Sequence, residues 1–160
     1  MLLDFLFRIW RRFNGKLQWQ LLWLVNSKFM VSVAGVILDD QGRVLLQRHR
    51  HWVPDVWGLP GGIVHRRETL ETAFSREVYE ETGLNLVDVQ LVRVCSGYNL
   101  RLEAFFRARV DGSGEPDLRL QASEVLEARF FACDELPANL LPEQREIITA
   151  VLIKKTRDSM

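Results

Sequence analysis

The sequence predicts an α/β fold class: one domain of strands around a charged helix, preceded by an amphipathic helical segment. Three observations lead there. Strand-like alternation recurs over 31–49, 86–110 and 125–132. One stretch, 68–83, switches to helical spacing, and a second, 141–155, closes the chain the same way. At 160 residues and 48% hydrophobic content, the chain suits a single domain with a substantial core.

Each element has its own signature. Leu2, Phe5, Leu6, Ile9 and Phe13 recur at helical spacing, with Asp4, Arg8, Arg11 and Arg12 largely between them. Asn14-Gly15 breaks that pattern, and a second apolar segment leads into the domain. The expected division is therefore an amphipathic extension at 1–29 and a folded domain at 30–160. From Met30 the strands begin. "VSVAGVILDD" and "RVLLQRH" flank Asp39-Asp40-Gln41-Gly42, a hairpin turn. "WGLPGG" reads as a Pro/Gly loop. In "ETLETAFSREVYEETG" Leu70, Ala73, Phe74 and Val78 fall on one helix face, and Gly83 is the stop. Strands follow at 86–97, 100–110 and 125–132, then the closing helix with Pro142 near its first turn.

Composition excludes several classes. Lys plus Arg equals Asp plus Glu at 21 each, so the chain has no global basic field, and no nucleic-acid partner is expected. Cys95 and Cys133 lack any paired spacing, which argues against a disulfide framework or a zinc cluster. No apolar run reaches a membrane span, and "LLWLV" at 21–25 is too short for a signal core, so a cytoplasmic location is expected.

The chemistry concentrates in "GGIVHRRETLETAFSREVYEETGL", 61–84, which holds five glutamates and four arginine or histidine side chains. Glu77, Glu80 and Glu81 stand at i, i+3 and i+4, so a helix brings their carboxylates to neighbouring positions where they repel. Two readings are open for three glutamates alone: a solvated acidic face, or oxygen ligands for Mg²⁺ or Mn²⁺. Gly61-Gly62 permits close backbone approach and offers a carbonyl to the same ion.

The whole pattern is more specific. Gly62, five residues, Glu68, seven residues, Arg76-Glu77-Val78, one residue, Glu80-Glu81, one residue, Gly83-Leu84 resembles the Nudix box without a departure. Chance would produce it roughly once in a billion starts at average residue frequencies. The resemblance extends over about 31–150 through "VAGVILDDQGRVLLQRH", "WGLPGG" and "EVLEARFFACDELP". It implies a Nudix-type α/β/α sandwich with a central mixed β-sheet. It also implies metal-dependent hydrolysis of a diphosphate bond, in a nucleoside diphosphate derivative or a nucleoside triphosphate, by water attack on phosphorus.

By the same resemblance Glu77, Glu80 and Glu81 would bind Mg²⁺ (or Mn²⁺), with the Gly62 carbonyl. Arg76 would orient the carboxylates, and Glu68 would ligate a further metal or support the loop. Glu77 and Glu81 compete for the general base. Glu124 is either an extra-box metal ligand or an exposed strand glutamate. The runner-up is a non-catalytic nucleotide-binding module, which would usually have lost box carboxylates.

The substrate is less legible. The post-box motif associated with NADH cleavage and the upstream CoA-type pattern are both absent. Asn99 stands where ADP-ribose enzymes often carry proline, and Tyr98, near but short of the tyrosine offset of dinucleoside-polyphosphate enzymes, reads as a packed strand aromatic. Gln144 occupies the offset where nucleotide-cleansing members place a purine-reading asparagine; it reads as a base contact or a helix-surface residue. Arg48 and Arg50, beside His49 and His51, read either as phosphate contacts or as plainly solvent-exposed residues, and His65 reads as a surface residue. The first thirty residues lie outside the resemblance. Their apolar face is expected to pack on the domain or on a second subunit, as in a homodimer, with membrane contact as the alternative.

Overall fold

The computed structural model describes residues 4, 7–8, 10–96 and 100–158, without the side chains of 142 and 154–158. Its described elements are α1 (Gly15–Val25), β1 (Met30–Leu38), β2 (Val44–His49), β3 (Gly61–Ile63), α2 (Leu70–Thr82), β4 (Leu86–Ser96), β5 (Arg101–Val110), β6 (Val125–Phe131) and α3 (Pro142–Asp158). Tyr98 and Asn99, weighed above for specificity, lie outside the described residues.

The sheet runs β4-β5-β1-β2-β6, with β3 paired to β1. Strands β1 and β5 are parallel and the other pairs antiparallel, so the sheet is mixed as expected. Seven consecutive residues of β1 are buried because helices cover both its faces. Val33 and Ile37 pack beneath α2 with Ala73, Phe74 and Val78. Ala34, Val36 and Leu38 pack with Ile147, Ile148 and Val151 of α3. Phe74 and Phe106 stack at 5.2 Å, each fully buried and worth about 1.5–3 kcal/mol in transfer energy. That is an α/β/α sandwich.

Helix α2 is delimited by its own side chains. The Thr69 hydroxyl accepts from the Thr72 amide at 3.2 Å. Gly83 stops the helix with φ 75°, and its N–H donates to Tyr79 O.

One stretch differs from expectation in a way that matters for function. "WGLPGG" reads as a loop, but it ends in strand β3. Strands β1 and β2 pair beside their turn, at Leu38 and Val44, and then diverge. The 58–63 segment fills the gap, with Gly58 opposite Gln47 and Gly61 opposite Ala34. This wedge brings Gly61 and Gly62 to the foot of α2.

The N-terminal segment also departs from expectation. Asn14 starts a helix as well as ending a pattern, since its side chain accepts from the Leu17 amide at 2.9 Å. No residue of α1 is buried. Trp19 is 69% exposed and Val25 77%. Packing of this segment on its own domain is therefore not observed among the described residues. Trp10, half-buried, meets Phe13 edge-on at 6.4 Å. Leu2, Phe5, Leu6 and Ile9 lie outside the described residues. Among the described residues, no helix is long and apolar enough to cross a membrane.

Candidate active site

Helix α2 presents its glutamates to the wedge, and the carboxylates there divide into two groups. The first is gathered by Arg76. Its guanidinium donates to both oxygens of Glu68, from Nε at 3.1 Å and from Nη2 at 2.9 Å. Nη1 donates to Glu77 at 2.9 Å and to Glu80 at 3.2 Å, and Nη2 also reaches the Ile63 carbonyl. Arg76 and the His65 amide together pull the Glu68 carboxyl down to about 2. Arg76 is held still more firmly charged by Glu68 and Glu77. The bidentate fork explains why arginine, with its planar donors, suits this position.

The second group is served differently. Glu81 is 1% exposed and accepts from the Gly61 amide at 3.2 Å. Its carboxylate lies 3.8 Å from His49 Nε2, which lies 3.6 Å from Glu124. One ligand atom from each of His49, Glu81 and Glu124 falls within 4.8 Å of the others. Burial pushes Glu81 up to about 7, against the pull of Gln47 and the Gly61 amide, while Glu77 and Glu124 add to the rise. Burial also lowers His49 despite the Glu124 carboxylate, which favours its neutral, electron-donating form.

Gln47 sits beside Glu81. It is fully buried and close enough to favour the Glu81 carboxylate, yet neither of its polar atoms completes a regular hydrogen bond with the protein. A buried amide so placed needs a partner. At Gly62 the backbone abuts the Glu77 carboxyl group, so a Cβ there would push that carboxylate aside. A neutral imidazole, one buried and one half-buried carboxylate, an orphaned amide and an abutting backbone suit a divalent cation with nitrogen and oxygen ligands.

These groups open into a cleft of about 1020 Å³ whose lining includes His49, Trp52, Glu77, Glu80, Glu81 and Glu124. Trp52 stacks on His49 at 5.3 Å. A second cleft, of about 580 Å³, lies away from them at Asp39, Asp88, Arg107 and Arg109. Its charges are paired locally, Asp39 with Arg43 and Asp88 with Arg109.

The other candidates separate sharply. Arg48 engages Glu127 and Asp55, Arg50 donates to the Ala122 carbonyl, and neither lines the large cleft. Gln144 does line it, but as a buried residue, which corrects the helix-surface reading. Its side-chain oxygen accepts from the Leu59 amide at 2.6 Å. His65, read as a surface residue, is also at the cleft. Sequence reasoning assigned no role to His49 or Gln47. Period two offered a signal, because Gln47 and His49 share the parity of Leu45, which packs beneath α2.

Comparison with known proteins agrees with this architecture. The family model described as NUDIX domain matches residues 28–151. An RNA pyrophosphohydrolase from Caulobacter vibrioides is 31% identical over 143 residues, covering 76% of this chain and 82% of that protein. The NAD-capped RNA hydrolase NudC of Chromobacterium violaceum is 32% identical over 114 residues, covering 70% of this chain and 42% of that protein. The crystal structure of a MutT NUDIX hydrolase from Burkholderia pseudomallei superposes with TM-score 0.65 at 26% identity, over 77% of this chain and 98% of that one. The chain spans about half the length of the first curated relatives it matches.

Proposed function

The chain belongs to the NUDIX-domain family, and from that premise we propose that it is a divalent-metal-dependent pyrophosphohydrolase acting on a nucleoside diphosphate derivative or a nucleoside triphosphate. The observation that carries this reading is the convergence of buried Glu81 with Glu124 and His49 at the large cleft, beside an intact box. A non-catalytic binding module would usually have lost box carboxylates, and this chain keeps Glu68, Glu77, Glu80 and Glu81.

Glu81, Glu124 and His49 would hold the cation, with Glu77 and the Gly62 carbonyl completing its protein ligands, and Mg²⁺ or Mn²⁺ suits this donor set. A cation bound there neutralises diphosphate oxygens and lowers the pKa of a coordinated water. The protein's own share is positional. Arg76 fixes the rotamers of Glu68, Glu77 and Glu80, so the carboxylates meet the substrate already arranged. Glu77 and Glu81 remain the two candidates for taking the proton from the attacking water. The departing group is a phosphate, so no covalent intermediate is required and neither Ser75 nor Cys95 has a nucleophilic task.

Cleft size supports a small nucleotide, since about 1020 Å³ lies at the upper end of small-molecule pockets. Charge supports it too, because residues 30–160 carry a net −4 and offer no field for a long polyanion. Trp52 at the cleft supplies an aromatic face on which a base can stack. The test is phosphate release from a panel of nucleoside diphosphate derivatives, nucleoside triphosphates and triphosphate-ended RNA, with Mg²⁺ or Mn²⁺. Binding of nucleotides with no turnover on any of them would replace the enzyme by a binding module.

A further inference from the structure

Among the described residues, the apolar surface of α1 has no partner within the fold. Trp19, Trp23, Leu24 and Val25 are all more than half exposed, and Phe29 is 47% exposed. They are distributed around the helix rather than confined to one stripe, since Leu21 and Leu22 are exposed as well. Around them stand Arg8, Arg11, Arg12, Lys16 and Lys28, all exposed. Residues 1–29 carry these five cations against one carboxylate, a net +4 on a chain whose total is zero. The rest of the protein therefore carries −4.

We propose that α1 and the basic turn before it dock in the headgroup region of an anionic lipid bilayer, holding the enzyme at a membrane surface. The geometry suits lying in the interface rather than crossing it. Eleven residues of helix are about 16 Å long, against a hydrocarbon core of about 30 Å. Tryptophans at 19 and 23 are the side chains that settle at headgroup depth. Flanking arginines and lysines meet lipid phosphate while the apolar residues enter the acyl boundary. Charge disfavours a second copy of this chain as the occupant. A two-fold contact would bring one +4 segment against another, whereas an anionic surface attracts both. Four residues, Asn26 to Phe29, separate α1 from Met30, which lines the large cleft. A docked helix thus keeps the mouth of that cleft near the lipid.

The full-length protein should cosediment with vesicles of equal parts phosphatidylglycerol and phosphatidylcholine, and its tryptophan emission should move to shorter wavelength. Vesicles of phosphatidylcholine alone should bind far less, and raising the salt should release the protein from the anionic ones. The double variant Arg11→Gln/Arg12→Gln should bind roughly thirtyfold more weakly, about 1 kcal/mol per lost cation. Trp19→Ser/Trp23→Ser should abolish the emission shift while leaving nucleotide turnover in solution unchanged. Three results would overturn the proposal. One is no cosedimentation with anionic vesicles. Another is cosedimentation indifferent to salt and to both double variants. The third is a dimer in sedimentation equilibrium that Trp19→Ser/Trp23→Ser dissolves, without lipid binding, which would make a second copy the occupant.

Discussion

Helices α1 and α2 are nearly equal in length and differ in where their partners are. Helix α2 buries Ala73, Phe74 and Val78 against the sheet, and its Arg76 and Glu77 are tied to each other and to the wedge. Helix α1, with a much more apolar sequence, buries nothing. Hydrophobicity alone therefore does not decide which segment enters a core. What decides is whether the fold offers a complementary surface: β1 and β5 offer one to α2, beneath which Phe74 and Phe106 stack. Chemistry follows the same division, because the buried helix can hold a carboxylate away from water and the exposed one cannot.

The largest effect should come from Glu81. Replacing it with Gln keeps shape and removes charge, so kcat should fall about 10³-fold, some 4 kcal/mol of transition-state stabilisation. The fold should persist, judged by far-ultraviolet circular dichroism. Near-parental turnover in Glu81→Gln, on whichever nucleotide the parent cleaves, would remove this carboxylate from the mechanism. Glu77→Gln assayed alongside identifies the proton acceptor. Both variants should bind Mn²⁺ more weakly, and at saturating Mn²⁺ the variant of the proton acceptor should keep the larger deficit in kcat.

Next comes a stability effect of opposite sign. Glu81 titrates near 7 in the fold against 4.5 for an unhindered carboxyl, so its folded pKa is raised. Between these values the unfolded chain has released the proton and the folded one has not, so rising pH favours unfolding. The cost is absent below about 4.5 and complete above about 7, where it reaches about 3 kcal/mol. Metal-free Glu81→Gln should therefore match its parent in Tm at pH 4.5 and exceed it at pH 8. Added Mn²⁺ should raise the parent's Tm and leave the variant's nearly unmoved. Identical Tm values across that range would mean Glu81 is not desolvated as the geometry requires. Glu68 behaves inversely: held near 2 by Arg76, it contributes stability above about 4.5 that fades as pH falls towards 2.

A smaller effect is expected at Gly62. An alanine Cβ would press on the Glu77 carboxyl, the far end of a flexible side chain, so the cost is that of moving the carboxylate off Arg76, about 1 kcal/mol or less. Gly62→Ala should lower Tm modestly and displace Glu77, with a fall in kcat. Unchanged kcat and Tm would show that the wedge can yield at no cost.

How much of this was legible depends on the distance over which each feature is encoded. The box was legible because Glu77, Glu80 and Glu81 are set by the helix period, which sequence carries directly. The hairpin at Asp39 to Gly42, the Thr69–Gly83 helix limits and the closing helix are also local. Strand β3 was hidden, because glycines leave no alternating side chains to mark pairing. Gln144 was hidden for another reason: its partner, the Leu59 amide, is 85 residues away. The phosphate role expected of Arg48 and Arg50 rested on charge without orientation. The strand turns His49 toward Glu81 and Arg48 toward Asp55, with a bulge in the β2–β6 pairing at that point. Sequence gave the types of group present at this strand end; only the sheet assigns them to faces.

The smallest effect is the one that bears hardest on the comparison of the helices. If α1 has no partner in the fold, removing residues 1–27 takes away no core contact seen among the described residues, and the domain should hold its Tm. The expected change is within about 0.5 kcal/mol, the range of surface alterations generally. Core packing would give a different answer, since burying even two side chains of the size of Trp19 and Leu24 is worth about 3–6 kcal/mol. Nucleotide turnover in solution should also survive, because the carboxylates and Arg76 draw on nothing before Met30. A drop in Tm of several degrees on this deletion would mean that α1 covers part of the domain in solution, and its likeness to α2 would then be closer than its exposure implies. An unchanged Tm, together with better solubility of the shortened protein, would show that the apolar residues of α1 are kept for something outside the fold.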